Sequence, residues 1–255
     1  MRIITTAAEL RRLLAHEKSQ GSRIGLVPTM GNLHAGHIKL VTTAREQCDY
    51  VVGTIFVNPL QFGTDEDLEI YPRTPDEDIK KLTESGCNGL FMPSVAEMYP
   101  GGTAAHTLVS VPGLGDNYCG KSRPGHFDGV ATVVSKLLNL VQPDSAFFGL
   151  KDYQQYLVIS KMALDLQIPV RIIGVETVRE ASGLAMSSRN NYLTAEQKVR
   201  AANLYRSLGF VAEALDKGRT DFAELENQAR TMLNDKGLTP DYFAVCHALT
   251  LEPAT

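Results

Sequence analysis

Apolar residues fall into two alternating patterns along this chain: short unbroken runs, and stretches in which they return every three or four positions. Runs at 23–28, 51–57, 90–92, 146–148 and 170–175 read as strands, and 51–57 is so nearly all apolar that both its faces should be covered. A run at 108–111 reads the same way. Helical spacing over 36–47, 130–141 and 153–166 fills gaps between these strands. Two more helices are marked by their first residues. Thr6-Ala7-Ala8-Glu9 has the form of a capping box, opening a helix to about Lys18 that ends near Gly21. Thr74-Pro75-Asp76-Glu77 repeats the form with proline at the first helical position, opening a helix closed by Gly86. Alternation of this kind predicts an α/β protein built on a doubly wound, Rossmann-like parallel sheet, whose ligands bind outside the carboxyl ends of the strands.

The pattern changes after about Val178. A Ser/Arg/Asn loop leads to a third capping box, Thr194-Ala195-Glu196-Gln197, and a helix to about Lys217. A helix over 222–234 and a strand over 241–248 follow. This predicts a smaller α+β C-terminal domain over 178–255 behind a larger domain over 1–177. The stretch 58–73 is long for a connection inside a compact α/β domain, which suits a lid or binding loop; a mobile solvent loop fits the length about equally well.

Composition narrows the classes of function. With 255 residues, 44% hydrophobic and 21% charged, the chain has the make-up of an ordinary globular protein. A net charge of −4 leaves no basic surplus for nucleic acid. No run is long enough to span a membrane, and the N-terminus lacks the apolar core of a signal peptide. Cys48, Cys87, Cys119 and Cys246 are scattered without metal-ligand spacing, which suits a reducing cytoplasm.

Four clusters carry chemistry, each at a strand end or between the domains. The first is Pro28-Thr29-Met30-Gly31-Asn32-Leu33-His34-Ala35-Gly36-His37, which puts two imidazoles and several free backbone N–H groups at the start of a helix, where the macrodipole favours anions. Taken alone, an H-x-G-H is as often a solvated turn. The second, Asn58-Pro59-Leu60-Gln61, offers two amides just beyond a strand, suited to a hydroxyl or carboxylate; such a pair is more often turn chemistry. The third is Gly149-Leu150-Lys151-Asp152-Tyr153-Gln154-Gln155, with an ammonium for phosphate and Gln155 near Asp152 on one helical face. The fourth, Met186-Ser187-Ser188-Arg189-Asn190, joins hydroxyls and a guanidinium in a loop that could close over a triphosphate.

Read in order, P-T-M-G-x-L-H-x-G-H, F-V-N-P-x-Q-F, R-P-G-H-F, F-G-x-K-D-Y-Q-Q and S-S-R-N closely resemble the pantoate–beta-alanine ligases (pantothenate synthetases) of the HxGH nucleotidylyltransferase superfamily. The resemblance runs over about 3–251, with Tyr71-Pro72-Arg73-Thr74 and Gly183-Leu184-Ala185 included. It implies a ligase that condenses pantoate with beta-alanine through a pantoyl adenylate, using ATP with Mg²⁺ held mainly by its phosphates, and working as a cytoplasmic homodimer without nucleic acid or membrane partners. It implies ATP contacts from Met30, Gly31, Asn32, Leu33, His34, Ala35, Gly36 and His37, from Gly149, Leu150, Lys151 and Asp152, from Val178, and from Met186, Ser187, Ser188 and Arg189. Pantoate falls to Gln61 and Gln155, with Asn58 beside them. His37 takes the part of catalytic acid, and His34, Lys151 and Arg189 neutralise charge on the phosphates. Two departures stand out: the residue before Lys151 is usually Glu in that family and is Leu150 here, and family members usually run on past Glu252, so a shortened copy is expected. A different nucleotidyltransferase and a non-catalytic nucleotide-binding module are the competing readings, and pantoate-dependent pyrophosphate exchange separates them.

Overall fold

The apolar runs become a six-stranded sheet because each is short, rich in branched side chains and covered by helices on both faces. The computed structural model describes residues 1–64 and 66–255. In chain order the first compact unit, Met1–Glu176, contains β1 (Arg2–Ile4), α1 (Ala7–Ser19), β2 (Ile24–Thr29), α2 (Ala35–Gln47), β3 (Tyr50–Ile55), α3 (Pro75–Glu84), β4 (Gly89–Phe91), the short helices α4 (Val95–Met98) and α5 (Cys119–Ser122), α6 (His126–Val141), β5 (Ser145–Gly149), α7 (Tyr153–Asp165) and β6 (Arg171–Val175). The second, Thr177–Thr255, holds α8 (Ala195–Ala201), α9 (Asn203–Asp216) and α10 (Phe222–Asn234).

Strand order is β1-β4-β3-β2-β5-β6, with every pair parallel. Neighbouring strand residues point to opposite faces. Leu26 of β2 joins Leu10, Val134, Leu138 and Ile159 beneath α1, α6 and α7, while Val27 joins Leu40, Val41 and Leu82 beneath α2 and α3. The chain winds outward from β2 through β3 and β4 on one side and from β5 to β6 on the other, so the winding reverses between β2 and β5. In open α/β sheets that reversal opens a crevice at the strands' carboxyl ends. Here the crevice lies between the segments that follow Thr29 and Gly149.

Several expectations change. The run at 108–111 forms no strand: Val109 N–H donates to Thr132 Oγ1 of α6 at 2.9 Å, and Val111 carbonyl accepts from Gly115 at 3.1 Å. Its apolar character comes from packing, since Val111 is buried in the core. The segment 241–248 likewise forms a single bridge, Cys246 to Pro253, with Phe243 buried against Leu225, Ala229 and Leu233 of α10. The helix expected over 194–217 breaks at Ala202 into α8 and α9. β1 escaped notice because three residues with one buried side chain show no period. Of the three capping boxes, the one at Thr194 and Gln197 forms completely. Thr6 accepts from Glu9 N–H while the Glu9 carboxylate turns to Arg2, and Thr74 Oγ1 is buried without a hydrogen-bond partner among the described residues.

Candidate active site

At the end of β2 the backbone enters the left-handed region at Gly31 (φ 87°) and Asn32 (φ 49°), turning the chain from strand into α2. The turn is held from α3. The Asp78 carboxylate, fully buried, accepts from Asn32 N–H at 2.8 Å and Leu33 N–H at 2.7 Å, and Lys81 Nζ donates to Leu33 carbonyl at 2.8 Å. The helix is then capped by its own two histidines. Gly36 N–H donates to His34 Nδ1 at 3.1 Å, and His34 N–H donates to His37 Nδ1 at 3.3 Å. The imidazoles lie 4.1 Å apart, centroid to centroid. Gly36 leaves room for the capping ring, since a Cβ there would stand 2.9 Å from His34 and displace it.

This arrangement corrects the expected cradle of free N–H groups. Gly31 N–H donates to Thr29 Oγ1 at 3.3 Å and His37 N–H to His34 carbonyl at 2.9 Å, so with the bonds above most of the loop's donors are already engaged. What the loop presents is imidazole. Each Nδ1 faces a backbone N–H and can only accept, so the proton of each neutral ring sits on Nε2. Burial, then Lys151 and Lys81, hold His34 down to about 4; burial, then His34, Lys151 and Lys81, hold His37 down to about 3. Both rings are neutral Nε2–H donors near pH 7.

Beyond β3, Asn58 caps a 3₁₀ turn, Pro59–Gln61. Asn58 Nδ2 donates to Gln61 Oε1 at 3.2 Å and to Gly129 carbonyl at 3.1 Å; its Oδ1 accepts from Tyr99 hydroxyl at 2.7 Å and Leu60 N–H at 3.4 Å. Gln61 Nε2 meets the Met30 sulfur at 3.3 Å. The R-P-G-H-F motif grips the same turn: His126 Nδ1 lies 2.7 Å from Gln61 carbonyl, and Arg123 forks onto Glu66 at 2.7 and 2.5 Å. Glu66 is thereby tied to Arg123 at the end of α5, just ahead of α6.

After β5 a 3₁₀ turn, Leu150–Asp152, leads into α7. Lys151 is exposed and pairs with Asp152 at 3.0 Å. Leu150 lies over β6, where a Cβ on Gly174 would come within 2.5 Å of its side chain. The two glutamines differ in use. Gln154 bonds Leu114 and Asn117 carbonyls at 2.8 and 2.7 Å and accepts from Cys119 N–H at 3.2 Å, whereas the half-buried Gln155 amide makes no hydrogen bond among the described residues.

In the second unit Val178 and Met186 meet, Met186 N–H donating to Val178 carbonyl at 3.0 Å, across a bend bridged by Arg179 and Ala185. Arg179 stacks on Tyr205 at 3.8 Å, and Gly183 (φ 90°) passes so close that a Cβ would stand 2.7 Å from that ring. Ser187 caps the 3₁₀ helix Ser188–Tyr192 by accepting from Arg189 N–H at 3.3 Å, leaving the Arg189 side chain exposed.

The family model for pantoate-beta-alanine ligase matches residues 2–255. The chain belongs to the pantoate–beta-alanine ligase family. It is 56% identical over 254 residues to the pantothenate synthetase of Pseudomonas putida (strain W619), covering 100% of this chain and 88% of that protein. With the enzyme of Pseudomonas fluorescens (strain Pf0-1) identity is 55% over 255 residues, at 100% and 89%. The crystal structure of pantothenate synthetase from Thermus thermophilus superposes with a TM-score of 0.91 at 47% identity, covering 99% of this chain and 90% of that one. The ligase from Francisella tularensis, crystallised with beta-gamma ATP and beta-alanine, gives 0.83 at 34% identity, covering 97% and 90%.

Within this ligase, sequence reading overlooked the residues that hold the contacts in place. Asp78, Lys81 and Tyr99 lie outside every motif, and Gln154, inside the third cluster, gives no local sign that it holds Leu114, Asn117 and Cys119. R-P-G-H-F stands among the motifs, but nothing local shows that it reaches Gln61 from 62 and 65 positions away.

Proposed function

We propose that this chain makes pantothenate from (R)-pantoate, beta-alanine and ATP in two half-reactions. A carboxylate is a poor acyl donor because attack on it would expel oxide. In the first half-reaction a pantoate carboxylate oxygen attacks the α-phosphorus, and the bond to the bridging oxygen breaks, giving pantoyl adenylate and pyrophosphate. In the second the beta-alanine nitrogen attacks the acyl carbon, AMP departs with the bond electrons, and the nitrogen loses its proton to solvent.

The observation that carries this reading is the pair of imidazoles locked as Nε2–H donors at the switch point of the sheet. Negative charge grows on the bridging and β-phosphate oxygens as pyrophosphate leaves, and preorganised donors act there without reorganising. His37, expected as a catalytic acid, then serves as a hydrogen-bond donor: pyrophosphate leaves as an anion and needs no proton. Lys151 and Lys81 supply positive charge beside the histidines, and Arg189 would fork onto the triphosphate. Gln61 and Gln155 orient pantoate, and Leu150, its side chain taken up over Gly174, leaves its backbone to the nucleotide. Mg²⁺ arrives with ATP as part of the substrate, held mainly by phosphate oxygens. Among the described residues no group of three or more His, Cys, Asp or Glu side chains is placed to hold a metal ion.

The family resemblance extends the proposal to a homodimer in the cytoplasm, which sedimentation and fractionation test; no described helix is long and apolar enough to cross a membrane. Pantoate-dependent exchange of labelled pyrophosphate into ATP tests the chemistry. Exchange without pantoate would point to another nucleotidyltransferase, and nucleotide binding without exchange to a non-catalytic module.

A further inference from the structure

Asn58 is 1% exposed, and an amide side chain has two N–H donors and two acceptor sites. All of them are filled inside the protein. The backbone decides which end is which: Gly129 carbonyl can only accept, so Nδ2 faces it, and Leu60 N–H can only donate, so Oδ1 faces that. Nδ2 therefore also meets Gln61, and the atom of Gln61 that receives it must be Oε1. The Tyr99 hydroxyl makes the shortest of these bonds, 2.7 Å, against 3.4 Å from Leu60. Burial pushes the Tyr99 phenol up to about 12, so it stays a donor. Its ring is fixed by Phe56 and His106, with centroids 6.1 and 4.8 Å away.

The backbone of Gln61 is held as firmly. Arg123 Nη1 lies 3.0 Å from His126 Nε2, and a guanidinium only donates, so His126 carries its proton on Nδ1 and donates to Gln61 carbonyl. Gly129 lets α6 lie directly on the turn: a Cβ there would stand 2.2 Å from Leu60 carbonyl. Gln61 is left with Nε2 pointing past the Met30 thioether, a weak acceptor that a substrate oxygen can replace.

We infer that Asn58 and Tyr99 are positioning residues that set the polarity of the Gln61 amide, so that Gln61 meets the hydroxy acid as a donor only. The site is then specific at that point for an acceptor oxygen, a carboxylate or the lone pair of a hydroxyl, and rejects a group that can only donate. This rests on the reading that Gln61 touches pantoate, and the test separates the two.

The experiment compares Gln61→Ala, Tyr99→Phe and the double variant by KM for pantoate, KM for ATP, kcat and thermal midpoint. Gln61→Ala should raise the pantoate KM by about 10-fold or more, the worth of one hydrogen bond to a charged ligand. Tyr99→Phe keeps the ring and loses the hydroxyl; it should raise pantoate KM by about 3- to 10-fold, with ATP KM within about 2-fold. In the double variant the Tyr99 effect should vanish, because the amide it orients is gone. An unchanged pantoate KM in Tyr99→Phe, or a full Tyr99 effect surviving in the double variant, overturns the inference. If Gln61→Ala itself leaves pantoate KM unmoved, the underlying contact is wrong instead. Asn58→Asp replaces a donor by an acceptor and should damage pantoate KM at least as much as Gln61→Ala; should it not fold, the Tyr99 pair still decides.

Discussion

Asp78→Asn tests whether the histidine loop is held in its working shape from α3. The wild-type carboxylate accepts from two backbone N–H groups at 2.8 and 2.7 Å, in a place with no solvent. In the amide one of those oxygens becomes NH₂, facing an N–H with no acceptor between them. Hydrogen bonds to a charged group are each worth about 1.5–3 kcal/mol, and a buried donor left unmatched costs a similar amount. One bond is lost and the other loses its charge, so holding the loop should become about 3–4 kcal/mol harder. The loop has an alternative to strain: it can shift away from α3 at Asn32, which sits at φ 49° in the left-handed region, and carry the histidines with it. If about half of that energy appears as displacement of the histidines, adenylate formation should fall by about 10- to 30-fold. The assay is a single-turnover measurement from ATP plus pantoate, run beside capture of synthetic pantoyl adenylate by beta-alanine and a thermal melt. The first half-reaction should suffer more than the second. A lowered melting temperature with both half-reactions intact would refute the reasoning and leave Asp78 as a fold-stabilising residue alone.

Four further outcomes are expected. His37→Ala should slow adenylation by roughly 10²–10³, the worth of one preorganised donor. Because the histidines titrate at about 4 and about 3 in the folded protein against 6.5 unfolded, the stability they carry is complete above about pH 6.5 and is lost as pH falls towards 3, by at most about 1.4 kcal/mol per pH unit each; denaturant midpoints measured down the pH scale check the direction, and a flat profile contradicts it. Gln155→Ala should raise pantoate KM at constant melting temperature, whereas Gln154→Ala should lower the melting temperature, since it holds Leu114, Asn117 and Cys119; the reverse pattern would exchange their roles. Arg189→Ala should slow adenylate formation strongly and beta-alanine capture little, with Arg189→Lys recovering part because an ammonium keeps charge without the fork; equal slowing of both steps would show that the loop orders the whole site.

The inner strands β2 to β5 were legible because they are buried on both faces, and uninterrupted apolar runs such as that of β3 leave a signal within a few residues. The same signal misled at 108–111, where burial of Val111 without strand pairing yields identical spacing. The contact residues proposed for ATP and pantoate could be named because they cluster locally in motifs. Their supports could not. Asp78 is 46 positions from Asn32, and Tyr99 is 41 from Asn58, so neither pairing leaves a trace in local periodicity. A helix residue such as Asp78 looks solvated until the loop it binds is seen lying on it. The dual use of His34 and His37 as cap and donor was hidden for another reason: imidazole is not among the side chains that ordinarily start helices.

The approach of α6 to the 3₁₀ turn at Gly129 limits how this scaffold could be re-engineered for other hydroxy acids. With helix backbone already against Leu60 and Gln61, the turn has no room to swing back and admit a bulkier acid. Nor can a larger residue at 129 push it forward without displacing Asn58 and Gln61 together. Room for a new substrate must come from trimming side chains that face the turn, Met30 first among them, while the backbone stays where it is.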